Sequence, residues 1–345
     1  MEKRKIKVKE TMCMNDTNKT KLKELLVGTT KREKILNLIF FASIIFMVGI
    51  ILGMRIAKSM VDSIVKNRTE GALSDWFSVD ENTQVRFAKG NLQYNAALDE
   101  WRFAEHQYDF IGKDNENISP IYDGWIDLFG WGTSGWNCGS PYYHPYDTVQ
   151  DADYGPAEVG LGGKYTNSDW GYFNSIANGG DKPSLWRTLN GVEWQYLFFY
   201  RHGLAYTLGI VHDVKGMLLF PDEWKNPKGM DIVKSNSCAD NVFSDEQWNL
   251  LEEKGVVFLP LAGIRRGGYY NNVNDSLCFA SYWTSSMGMD MGVINEGDTD
   301  TLSYKAATSV FITDDQNVPF VTPFTPRNTG SSVRLVSIYV KKQND

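Results

Sequence analysis

The longest feature in the hydrophobic pattern is an unbroken apolar run, Ile35–Met54, ILNLIFFASIIFMVGIILGM, in which Asn37 and Ser43 are the only polar side chains. It is apolar on every face, unlike the one-sided stripe of a surface helix, and at about 1.5 Å per residue it spans roughly 30 Å of hydrocarbon. The pattern predicts a transmembrane helix over 35–54. Ile56, Met60 and Ile64 then keep helical spacing until Gly71, which predicts a stalk over 55–75. From Trp76 the period shortens, with strands expected at Gln84–Ala88, Asn91–Tyr94 and Trp101–Phe103. Two helices follow. Asn190–Arg201 carries Asn190 and Glu193 at capping-box spacing, and Ser244–Lys254 carries Ser244 and Gln247, with Gly255 just beyond.

Further strands are expected at Gly216–Phe220, Val256–Leu261, Ser281–Ser286 and Ser332–Val340. Val85 and Phe87 flank Arg86, and Val333 and Leu335 flank Arg334, a pattern of half-buried strands with one polar face. Residues 112–182 are rich in Gly, Asn, Asp and aromatics without a period, and read as long ordered loops. No repeat or linker divides the remainder, so 76–345 is expected to be one α+β domain.

Charge changes the picture by separating the two ends. Residues 1–34 hold eleven Lys/Arg against five acids, a net of +6. The whole chain is at −7, and with Arg55 and Lys58 counted on the basic side, residues 59–345 carry −15. A domain that acidic repels phosphates, so no nucleic-acid partner is expected. Within about fifteen residues of the apolar run, five cations precede it and four follow, a slight bias. The full basic tail (1–34) therefore carries the expected orientation: N-terminus cytoplasmic, C-terminal domain periplasmic or extracellular. A cleaved signal peptide is the rival, with Ala57-Lys58-Ser59 as its loose cleavage site. Cys13 follows no apolar run and is not an acylation site. Cys138, Cys238 and Cys278 suggest one disulfide and one free thiol, with the pairing open.

Seven segments in order carry a resemblance. They are FSVDENTQVRFAKGNLQY (Phe77–Tyr94), WRFAEHQYDFIG (Trp101–Gly112), GWIDLFGWGTSG (Gly124–Gly135), LWRTLNGVEWQYLF (Leu185–Phe198), FLPLAGIR (Phe258–Arg265), SYWTSS (Ser281–Ser286) and SSVRLV (Ser331–Val336). Over roughly Phe77–Val340 the chain resembles the Fibrobacter succinogenes major paralogous domain family, related to the C-type-lectin-like fold and, distantly, to formylglycine-generating enzymes. The resemblance implies a C-type-lectin-like domain whose first and last strands pair, with loops projecting from the opposite end. It implies an envelope setting of the Bacteroidota type. Met287–Gly330 departs from the family. Its acids (Asp290, Glu296, Asp298, Asp300, Asp314, Asp315) outnumber Lys305 and Arg327, and it reads either as a specialised binding surface or as a solvated acidic excursion.

Catalytic constellations are missing from the sequence. The Glu-Pro-Asn, Gln-Pro-Asp and Trp-Asn-Asp triplets of calcium-dependent lectins do not occur, and Asn295–Asp300 does not match an EF-hand loop. Cys278 lacks the closely spaced partner that the formylglycine-generating chemistry needs. His106, His144, His202 and His212 have no metal-ligand spacing, and there is no GxSxG elbow. No cofactor and no metal are expected. Aromatic rings beside glycines can stack on sugars or anchor interfaces, which makes Trp125, Trp131, Trp136, Trp170 and Trp283 the candidate ligand-binding residues; the competing reading is that they fill the core. The expected function is a membrane-tethered, non-enzymatic binding module for a glycan or envelope protein. The alternative is a structural or assembly subunit that oligomerises through the anchor helix, where Gly49 and Gly53 are four apart. A formylglycine-generating-like or glycosidase-type enzyme ranks below both.

Overall fold

The computed structural model describes residues 30–67, 70–117, 119–136, 160–272, 278–289, 291–294, 301–314, 319–337 and 341–342. The chain is mixed α/β and divides into two compact units, one ending at Val65 and one beginning at Lys66. From Lys31 the described residues of the first unit belong to one helix, α1 (Lys31–Asn67), which runs two residues past the division. It opens on a capping box the apolar pattern did not reveal: Glu33 N–H donates to Thr30 Oγ1 at 3.3 Å, and Thr30 N–H to the Glu33 carboxylate at 2.9 Å. Its stretch Lys31–Arg55 has mean hydropathy 2.8 and is long and apolar enough to cross a membrane or to serve as a signal sequence. Ser43 donates to Phe40 O at 2.7 Å, so its hydroxyl is satisfied within the helix, as a lipid environment demands.

The second unit is built from short sheets, antiparallel except where β9 runs parallel to β7. β1 (Phe77–Ser78) and β2 (Thr83–Val85) form a hairpin. β3 (Leu92–Asn95) lies between β4 (Glu100–Phe103) and β5 (Trp125–Ile126). After the short helix α2 (Trp170–Phe173) comes β6 (Trp186–Thr188), then α3 (Gly191–Phe199) with the expected Asn190/Glu193 capping box. β7 (Tyr206–Val211) and β8 (Val214–Leu219) turn tightly through His212 and Asp213, both at positive φ, as a two-residue hairpin loop requires. β9 (Val242–Phe243) precedes α4 (Asp245–Glu253), capped by Ser244 and Gln247 as expected. β10 (Val257–Pro260) joins β8, giving the order β10-β8-β7-β9.

The remaining strands close the unit. β11 (Ile264–Arg266) pairs β12 (Tyr269–Asn271), and β13 (Phe279–Met287) follows. β14 (Met291–Ile294) pairs β15 (Thr301–Tyr304). β16 (Ala306–Thr313) sits between β13 and β17 (Phe320–Pro326). β18 (Leu335–Ser337) pairs β6, and β19 (Lys341–Lys342) pairs β2. The chain's last strands thus run beside its first: Ala88 N–H donates to Leu335 O and Leu92 N–H to Val333 O, each at 2.9 Å.

Several expectations need correction. Residues 71–75 are not stalk. Leu73 is buried and its N–H donates to Phe87 O at 2.8 Å, and a side chain at Gly71 would collide with Asn178 O, so this stretch is fixed into the globular unit. Within the stretch 287–330, the described residues 306–313 are not an excursion either, because β16 is a central strand. Its Ala306, Ala307, Val310 and Ile312 are buried, and small or β-branched side chains on both faces suit a strand covered on both sides. Asp290, Glu296, Asp298, Asp300, Asp315 and the 295–300 segment lie outside the described residues, as do Cys138 and His144.

No disulfide joins the described cysteines: Cys238 and Cys278 are both free. Burial pushes the Cys238 thiol up to about 12, with nearby Asp314 adding to the effect, which keeps it protonated. Finally, Arg334 does not lie on a polar strand face. It is wholly buried, and its guanidinium donates inward to Asn91 Oδ1 at 2.9 Å and Phe258 O at 2.8 Å.

Two further buried charges set a pH dependence. Asp127 accepts from Asn115 Nδ2 at 2.8 Å and Ile111 N–H at 3.0 Å; Asp169, the N-cap of α2, accepts from Gly171 and Thr188 N–H. Loss of solvation pushes each carboxyl up to about 6, and the hydrogen bonds only partly offset it. A carboxyl raised in the folded state contributes stability that is present below its unfolded pKa and is lost as pH rises through the folded one. The urea midpoint of unfolding is therefore expected to fall between about pH 4 and about pH 7. A midpoint that climbs steadily over that interval contradicts the assignment.

Candidate functional site

Among the described residues the globular unit carries an open groove with two lobes of about 500 and 640 Å³. Both lobes are lined by Gln84, Asp222, Glu223 and Trp224, so they adjoin along these residues. Three segments form the walls. The β1–β2 hairpin supplies one, the end of α3 and its following turn another, and residues 221–225 after β8 the third. One lobe adds Asp75, Trp76, Lys225 and Lys254; the other adds Ser78, Glu81, Tyr196, Tyr200 and His202.

Asp222 holds these walls together. Its carboxylate accepts from Ser78 N–H at 2.9 Å, from Ser78 Oγ at 2.5 Å, and from Gln84 Nε2 at 2.6 Å, all on the hairpin. Arg201 reaches it from the third side at 3.3 Å. Arg201 also donates to Leu197 O, Phe220 O and Ala205 O, stapling the end of α3 to the exit of β8. Burial works against the Asp222 charge, but the Ser78 and Gln84 hydrogen bonds and the Arg201 charge outweigh it and hold the carboxyl below its usual value. The guanidinium is itself nearly buried, which lowers its pKa, with Asp222 opposing. Asp222 is thus a saturated, ionised latch and not an acid or base poised for proton transfer.

The aromatic rings around it are held in place. Arg86 lies over the Trp76 ring at 4.4 Å. Trp224 packs on Phe220 with ring centroids 4.8 Å apart, and its Nε1 donates to Asn226 Oδ1 at 2.9 Å. Tyr196 and Tyr200, one helical turn apart, stack at 5.9 Å. Burial raises the Tyr196 phenol, and the Glu81, Asp222 and Asp80 charges raise it further, so it stays a neutral hydrogen-bond donor. Tyr200 is 67% exposed, while Trp76, Tyr196 and Trp224 are half-buried.

The tryptophans singled out from sequence lie elsewhere. Trp131, Trp170 and Trp283 are 0% exposed and offer no face to a ligand. Trp131 Nε1 donates to Thr284 O at 2.8 Å and Trp283 Nε1 to Phe129 O at 2.6 Å, so the polar handle of each ring is used up inside the core. Neighbouring glycines serve packing: a side chain at Gly171 would strike Trp186. Trp125 is half-buried under the Arg102 guanidinium at 3.8 Å, and Trp136 is half-buried beside Ser134. The structure does not bring these five into the groove.

No family model, curated protein or solved structure matches this chain. Function is therefore argued from the chemistry of the groove. Among the described residues, no three His, Cys, Asp or Glu side chains are placed to hold a metal ion. Sequence reasoning missed the groove residues because they come from three separated segments with no common spacing. The one local signal was Tyr196 and Tyr200, aromatic rings four apart on the outer face of an amphipathic helix.

Proposed function

We propose that the chain is a membrane-tethered, non-enzymatic binding module, anchored by α1, that takes a glycan or protein partner of the cell envelope in the two-lobed groove. The observation that carries this reading is the groove itself, a preformed cleft with fixed, partly exposed aromatic rings around a carboxylate already saturated by protein donors. Pockets that bind through shape and stacking combine such rings with a few placed polar groups. The C-type-lectin-like fold is part of the proposal. The pairing of the last strand, β19, with β2 near the start of the globular unit supports it.

The experiment is a comparison of wild type and Asp222→Ala, as full chains in lipid nanodiscs, titrated with envelope carbohydrate and envelope protein fractions while tryptophan fluorescence is read. Loss of the latch takes one acceptor from each of Ser78, Gln84 and Arg201 and loosens the groove walls, and one or more orders of magnitude in affinity are expected to go. Equal binding by both proteins, or turnover of a titrated component, counts against the reading.

A further inference from the structure

We infer that the groove takes a neutral, linear oligosaccharide several rings long, an inference that rests on the groove being the binding site. Four features point that way. The two lobes lie side by side along Gln84, Asp222 and Trp224, which suits an elongated ligand over a compact one. Rings stand in both lobes, Trp76 and Trp224 in one and Tyr196 and Tyr200 in the other, each held from the protein side by Arg86, Phe220 or its partner tyrosine. Rings so held offer flat apolar faces at little entropic cost, matching the C–H faces of successive sugar units.

Charge and backbone argue against the other polymers. Asp222 and Arg201 neutralise each other, and the charges left on the lining are mixed: Asp75, Glu81 and Glu223 against Lys225 and Lys254. Over both lobes together the surplus is a single negative charge, three acids against two lysines, too little for capture of a polyanion or polycation. Peptides commonly bind by adding a strand to a sheet edge. In the groove that route is occupied. β2 is paired on both sides, the Ser78 N–H is taken by Asp222, and the Trp76 carbonyl accepts the Asp222 N–H at 3.3 Å. Scattered carboxylates, amide and amino groups instead suit the hydroxyls of an uncharged sugar.

The test uses the full chain in nanodiscs and calorimetry. The probes are α- and β-linked neutral hexose and N-acetylhexosamine oligomers of graded length, sulfated or uronate oligomers, and unstructured peptides. Neutral oligomers are expected to bind with affinity that rises with chain length and then levels off, largely unchanged by added salt. Trp76→Ala and Trp224→Ala are each expected to weaken binding roughly tenfold, and Tyr200→Ala, at an exposed position that leaves the core intact, by severalfold. Preferential binding of anionic oligomers or of peptides, weakened by these same variants, overturns the sugar assignment and leaves the groove as the site. Neutral-sugar binding that none of the three variants alters overturns the groove. Absence of binding to every probe overturns both.

Discussion

Replacing Arg334 with methionine is expected to destabilise the globular unit by several kcal/mol, since each buried acceptor left unsatisfied costs about 1–3 kcal/mol. Arg334 is wholly buried, and burial pushes its pKa down to about 10, with Tyr282 and Glu252 opposing. No carboxylate bonds it directly among the described residues. Its charge is solvated by oxygen dipoles from three segments: Asn91 Oδ1 and Ala88 O from the entry to β3, Gln107 O, and Phe258 O on β10. Gln107 extends the network, donating to Glu252 and Val256 O and accepting from Phe258 N–H. One side chain on the closing strand therefore ties the opening strands to α4 and β10. Methionine would fill much of the volume but leave those acceptors dry. Lysine cannot direct donors to three segments from one point, so Arg334→Lys is expected to recover less than half of the loss. Urea unfolding of both variants checks this. A methionine variant within about 1 kcal/mol of wild type contradicts the network's importance.

Arginines at Ile45 and Val48 are expected to release the chain from membranes. Both residues sit mid-way along the apolar stretch of α1, and each arginine adds about 2.5–3.5 kcal/mol to the cost of spanning. At least a tenfold fall in the carbonate-resistant membrane fraction is the expected result, with Ile45→Leu unchanged. The size of the wild-type product separates the two roles open to this helix. An intact chain in the membrane fraction marks an anchor, whereas a shortened soluble product marks a signal sequence.

Local chemistry was legible in the sequence where it is decided within one turn. Asn190/Glu193 and Ser244/Gln247 cap α3 and α4 as their spacing indicates, and the apolar run lies within α1. What depended on distant neighbours was not legible. Arg334 between Val333 and Leu335 has the pattern of a solvated face, and only contact with Asn91, Gln107 and Phe258 makes that face interior. The strand β16 was hidden because AATSVFIT lies in an acid-rich stretch, with Asp314 and Asp315 directly after it, and has no simple alternation, being covered on both sides. Of the two readings open for the tryptophans beside glycine, ligand platform or core filler, the structure gives the second for Trp131 and Trp170, and glycine makes room for close packing, as at Gly171 against Trp186. The groove was least legible of all. It is a tertiary product of the Asp222 latch, which gathers Ser78, Gln84 and Arg201 from positions 123 residues apart in sequence at their widest.

Amide hydrogen exchange on the full chain in nanodiscs, with and without saturating neutral oligosaccharide, is the most direct measurement of whether the groove is where this protein meets its ligand. Protection is expected over residues 75–85, 196–204 and 221–225, with the peptides around Trp125 and Trp136 unchanged. Protection centred on Trp125 or Trp136, with the three groove segments unaffected, would contradict the account.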